Sequence, residues 1–135
     1  MQVQYVSAAA AHPGSVALHM ASLAFRSRQI ATFGASSMRA AAAAAVCALR
    51  DRAFSAELEA NTEGSSWVDS IQRGGLLLVL RAAYAERAAG YSERGVALLQ
   101  ANLELNLHCP AELRNVPWPA RLEAFEEFWE AEVPR

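Results

Sequence analysis

Turn-forming residues cut this chain at intervals that suit helices. Pro13-Gly14, Gly34, the stretch from Asn61 to Ser66, Gly90, Cys109-Pro110 and Pro117-Trp118-Pro119 divide it into six helix-length stretches and one short turn after Pro110. Within them apolar residues return at three- and four-residue steps, and none sustains the alternation of a half-buried strand. Ala, the strongest helix former, supplies thirty of the 135 residues. The chain is expected to be all-α.

The first stretch, Gln2 to Ala11, is short, with Tyr5, Val6 and Ala9 as its expected buried side. Ser15 caps a second helix that runs to about Phe33. Leu18, Ala21, Phe25 and Ile30 are its candidate core positions. Gly34 ends that helix by supplying a left-handed residue, and Ser36 or Ser37 caps the next. This third helix carries the Ala block to about Phe54, and its lack of bulk lets a neighbour come close. Residues 55–66 read as a polar linker. Trp67 opens a fourth helix with Val68, Ile71, Leu77, Leu80 and Tyr84 as its apolar side. Gly74-Gly75 inside it marks a kink or a helix crossing, since a phosphate loop wants a strand before it.

The fifth helix follows Gly90 with Ser92 as cap. Val96, Leu99, Leu103 and Leu107 make one stripe, broadened by Leu98 and Leu105. Pro110 ends it and starts a single turn. The last helix begins near Pro119, a residue suited to a first turn. Leu122, Phe125, Phe128, Trp129 and Val133 form its apolar side, with five glutamates on the rest. Phe125, Phe128 and Trp129 are expected to anchor it against Val96, Leu99 and Leu103. Short connections imply antiparallel neighbours. Helix pairs of this length stacked side by side suggest an alpha solenoid, and a closed bundle is the competing arrangement.

The chemistry-bearing residues form no reactive set. His12, His19 and His108 lie on different elements, and no Cys or His pair has zinc-knuckle spacing. Cys47 is expected to pack as a small apolar residue in the Ala helix. With Cys109 it reads as a reduced thiol, which favours an intracellular address. No basic neighbour activates Cys47 as a nucleophile. The glutamates of the last helix read as a solvated face, because acid–base work needs carboxylates in a desolvated cleft. Neither catalysis nor a cofactor is expected.

All twelve basic residues are Arg, and the formal net charge is −2. The first fifty residues hold four Arg and no acid, so a basic face could form there, but the whole chain lacks the field that holds nucleic acid. An RNA contact is not predicted. No apolar run approaches the roughly 18 residues of a membrane span, so no membrane contact is expected. The acid-free leader also has the composition of an organelle transit peptide.

The stretch AAGYSERGVALLQANLELNLHCPAELRN, followed by LEAFEEFWEAEVPR, resembles the nuclear exosome regulator family known as nuclear RNAi-defective-two. The matching positions are Gly90, Tyr91, Glu93, Val96, Leu99, Gln100, Glu104, Asn106, Pro110, Phe125, Glu127, Phe128, Trp129, Glu132, Pro134 and Arg135. The match is specific over 90–135 and loose over 1–89, so residues 1–135 are read as one helical-repeat segment. The resemblance implies a right-handed superhelix of half-a-TPR repeats. It implies a nuclear, non-enzymatic scaffold in RNA surveillance, with the exosome's RNA helicase as protein partner and a link to RNA-directed silencing. The family's helicase-binding segment lies upstream of the repeats and has no counterpart here, and its conserved region continues beyond the final Pro-Arg. The resemblance leaves Gly90, Tyr91, Leu99, Gln100, Glu104, Asn106, Pro110, Phe125, Phe128 and Trp129 as the structural or interaction residues. A small stand-alone helical subunit of a bacterial assembly is the alternative.

Overall fold

A computed structural model describes residues 2–60 and 66–131. The helices are α1 (Gln2–Ala11), α2 (Val16–Arg28), α3 (Ile30–Ala60), α4 (Ser66–Ala88), α5 (Ser92–Leu107) and α6 (Trp118–Glu130), with a 3-10 turn at Ala111–Leu113. Among the described residues there is no strand, and no helix is long and apolar enough to cross a membrane. The described residues up to Gly95 form one compact unit, and those from Val96 onward form a second.

The first unit is built on α3 against α4, with α2 packed on both and α1 on α2. From α3 come Met38, Ala42, Ala45, Leu49 and Ala53, a buried stripe at three- and four-residue steps. From α4 come Ile71, Leu78 and Ala85, with Ala82 half-buried beside them. Leu23, Leu49 and Leu78 are fully buried. Small side chains fill most of the α3 stripe, so the two backbones approach closely and dispersion contacts accumulate along them.

Several expected helix boundaries and faces move. In α2 the buried side is His19 and Leu23, with Val16 and Met20 partly covered, rather than Leu18, Ala21 and Phe25. The helix has neighbours on two sides, and Phe25 turns instead to α1, its ring 5.7 Å from that of Tyr5. Val6 is exposed. Ser15 caps α2 as expected, its Oγ accepting from the Leu18 N–H at 3.4 Å. His19 is held by a 2.9 Å hydrogen bond between its Nε2 and the Pro13 carbonyl. The helix stops at Arg28 rather than Phe33, where Gln29 leaves the helical region at φ −118°. Gly34, at φ 72° and ψ 161°, is therefore a break near the start of α3 and not the end of α2. Ser37 accepts from Arg26 at 2.9 Å, a bond between α2 and α3.

The helix expected to end near Phe54 runs on to Ala60, so the first part of the sequence-level linker is helical. Residues 61–65 of that linker, and Val133 of the expected last stripe, lie outside the described residues. Cys47 is exposed, because the α3 stripe turns Ala45 and Leu49 inward on either side of it. Helix α4 is unbroken through Gly74-Gly75. Gly74 is a crossing point: a Cβ there would overlap the Val16 side chain of α2. Gly75 has open space where its Cβ would sit.

The adjacent glycines should therefore respond with opposite signs. Gly75→Ala is expected to stabilise by up to about 1 kcal/mol through helix propensity. Gly74→Ala should destabilise by about 1–3 kcal/mol through overpacking against Val16. Urea unfolding of the two variants measures the difference directly.

Candidate interaction surfaces

In the first unit, the residues around Gly90 tie a helix end to an ion pair whose carboxylate is buried and whose guanidinium is partly exposed. Gly90 has φ 90°, a region where only glycine is unstrained. Its N–H bonds the Arg87 carbonyl at 3.1 Å, and the Tyr91 N–H reaches back to the Glu86 carbonyl at 2.9 Å. These two bonds are the paired closure of a Schellman end. The Glu86 side chain is buried and accepts from Arg39 Nε at 2.5 Å and Nη2 at 2.9 Å, a two-pronged pair joining α4 to α3. The Arg39 guanidinium lies over the Tyr91 ring, 5.0 Å from its centroid, and Arg94 sits 5.6 Å from the same ring. Hydrogen bonding to Glu86 raises the Arg39 pKa above its ordinary value, which keeps the guanidinium charged. Gly95 itself lies close against α4, since a Cβ there would stand 2.8 Å from the Ala83 carbonyl oxygen. The helix begins at Ser92, and the Tyr91 carbonyl accepts from the Gly95 N–H at 3.2 Å.

The second unit holds a concave apolar groove of about 640 Å³ between the later part of α5, the 3-10 turn and α6. Leu103, Leu105, Pro110, Leu113, Ala124, Phe125 and Phe128 supply its apolar lining, and Gln100, Glu104, His108, Cys109 and Arg121 its polar margin. Gln100 Nε2 donates to Glu104 Oε1 at 2.8 Å, one helical turn away. Arg121 Nε donates to the Leu113 carbonyl at 3.1 Å, and its Nη2 reaches the carbonyls of Arg114 and Val116. That arginine fixes the 3-10 segment to α6 and so shapes one wall of the groove. Phe125 stacks obliquely with Phe128 at 6.2 Å and with Trp129 at 5.7 Å.

Seven of the ten residues singled out from sequence fall into these two places. Gly90 and Tyr91 belong to the helix-end cluster, and Gln100, Glu104, Pro110, Phe125 and Phe128 line the groove. Trp129 packs on Phe125, while the Asn106 side chain bonds its own helix at the Asn102 carbonyl, 2.8 Å away. The α5 stripe expected to be buried is open: Val96, Leu99, Leu103 and Leu107 are between 37% and 66% exposed. Its Leu103 meets the aromatic side of α6 at the groove, whereas Val96 is the second most exposed of the four. Arg39 and Glu86 escaped the sequence reading because nothing local signals a pair forty-seven residues apart. No group of three or more His, Cys, Asp or Glu among the described residues is placed to hold a metal ion.

Compared with known proteins, residues 1–135 match the family described as "NRDE-2, necessary for RNA interference". The chain is 26% identical over 124 residues to the nuclear exosome regulator NRDE2 of Homo sapiens, and 25% identical over 124 residues to that of Mus musculus. Each alignment takes in 92% of this chain and 10% of the relative. The chain thus spans about a tenth of the length of the curated relatives it matches. Both are named as regulators, and nothing in these matches supports a stand-alone bacterial subunit. No solved structure matches the chain.

The Arg39–Glu86 pair gives a test of the helix-end cluster. Removing one partner strands a buried carboxylate or its cation, whereas replacing both by apolar groups removes that penalty. Arg39→Met should therefore lower the midpoint of thermal unfolding more than Arg39→Met with Glu86→Leu does. Equal losses in the two variants would mean that the pair is not desolvated.

Proposed function

The chain belongs to the NRDE-2 family, and from that membership we propose that it works as a non-enzymatic helical-repeat scaffold in nuclear RNA surveillance. Its helices act as successive pairs of an open TPR-like array. Its residues 1–135 make up one such segment, and its partners are proteins of the nuclear exosome machinery, including the RNA helicase. The link to RNA-directed silencing follows from the family's description as necessary for RNA interference. A nuclear location follows from the relatives' name.

The observation that carries this reading is the groove of the second unit. Gln100 and Glu104 of α5, Pro110 of the connection, and Phe125 and Phe128 of α6 all line one apolar concavity with a few polar groups at its margin. Such a surface fits recognition of a helix or an extended segment by shape and apolar contact. Gln100 bonds Glu104 and Arg121 bonds the backbone of its own unit, an arrangement that holds a surface in shape. Recognition of single-stranded RNA instead wants rings interleaved with basic side chains. Here the rings of α6 are interleaved with Glu123, Glu126, Glu127 and Glu130.

Affinity capture of the tagged chain from nuclei, followed by quantitative mass spectrometry, tests the proposal. Enrichment of exosome subunits and the exosome's RNA helicase over a tag-only control is expected. Leu103→Glu with Phe128→Glu, both at exposed positions of the groove, should reduce that enrichment by about tenfold, as loss of a central apolar contact does. Recovery of no exosome component, or recovery indifferent to the groove variant, would contradict it.

A further inference from the structure

The outer side of α4 is an apolar face that the first unit does not use. Leu76, Leu77, Leu80 and Tyr84 are between 38% and 59% exposed. They lie at helical spacing on the side turned away from Ile71, Leu78 and Ala85, which face α3. Beyond the first turn of α4, the charge along this face has one sign. From residue 70 to the end of α4, every charged residue is an arginine except Glu86. Glu86 is buried and engaged with Arg39. Arg73 and Arg87 fall on the same outer side as the leucines, one at each end of the stripe. They are separated by about 21 Å along the helix axis, from fourteen residues at 1.5 Å each. Asp69 stands a further turn toward the N-terminus, in the first turn, where the helix dipole favours an acid.

A short apolar stripe closed at both ends by guanidiniums selects among binding partners. Single-stranded RNA stacks on rings, and the stripe offers one ring and three leucines. A lipid surface takes up a helix whose whole apolar half is available, and the inner half of α4 is committed to the core. A helix with its own apolar stripe and carboxylates near its two ends matches both the shape and the charge.

We propose that the outer face of α4 docks an acidic amphipathic helix of a protein partner. The partner's apolar residues seat on Leu76, Leu77, Leu80 and Tyr84, and its carboxylates pair with Arg73 and Arg87. The inference specifies the partner chemistry of the scaffold reading and rests on it. It concerns a surface separate from the groove of the second unit.

The test places a photoreactive benzoylphenylalanine at position 84 (Tyr84→benzoylphenylalanine) in the full chain, made and irradiated in nuclei. The adduct is sequenced by mass spectrometry. The expected adduct is a protein segment of net negative charge with apolar residues at three- and four-residue steps. Arg73→Glu with Arg87→Glu should lower its yield about tenfold at an unchanged melting temperature. Leu80→Glu, at another exposed position, should lower it as well. Cross-linking to a basic or uncharged segment, to RNA, to lipid or to a second copy of the chain would overturn the proposal. So would the absence of any adduct while exosome proteins still co-purify with the chain, an outcome that leaves the scaffold reading standing. Absence of both adduct and exosome proteins would remove the two together.

Discussion

The close approach of an Ala-lined helix to its neighbour is the constraint from which the first unit follows. Because α3 offers Ala42, Ala45 and Ala53 alongside Met38 and Leu49, the partner that fits it best is itself narrow. Helix α4 meets that demand with its smaller side. Gly74, Ala82 and Ala85 lie on the side of Leu78 and Ile71, and the glycine lets α2 cross close enough for Val16 to fill the missing side chain's place. Close packing of small side chains gives many short contacts per residue, but it leaves no room for the bulky half of α4.

The exposed leucines of α4 are a consequence of that choice. A helix reading Leu-Leu-Leu-Val-Leu is apolar all round, and only one side of it can face an alanine ridge. The other side stays uncovered within the unit, bordered by arginines. The second unit presents a comparable situation, with α5 showing its stripe at the surface and the α6 rings lining a groove instead of closing a core. Both units thus combine a defined helical framework with apolar surface to spare.

Much of the framework was legible in the residues themselves. Ser15 as a cap, Gly90 as a helix end, the turn after Pro110 and the last helix from near Pro119 follow from local chemistry that tertiary contacts did not override. The double glycine of α4 was legible as a crossing for the same reason, since glycine within a helix is tolerated where another helix must come near. The faces were less legible. Periodicity says that an apolar side exists, but not which neighbour covers it. Leu77, Leu80 and Tyr84 carry as strong a signal as Ile71 and Leu78, yet they lie outside. In α2, two neighbours divide one broad apolar surface, so the fully buried residue is Leu23 and not Leu18. Gly34 does separate two helical stretches at a positive φ, but the stretch before it is already parted from α2 at Gln29, whose departure from the helical region no glycine or proline signals.

The candidate surfaces were legible residue by residue but not as surfaces. The family-like positions of α5 and α6 meet at the groove only because Arg121 ties the intervening turn to α6, and backbone carbonyls leave no mark in a sequence. The Arg39–Glu86 pair likewise depends on the α3–α4 approach. Hydrogen exchange of the intact chain, followed amide by amide, tests that approach most directly, because slow amides report the cooperative core. If α3 and α4 form the common core, amides at 41–53 and 71–85 will be the last to exchange and will do so together. If the amides of α3 exchange as fast as those of α1, or well before those of α4, the Ala-lined packing is not what holds the unit together.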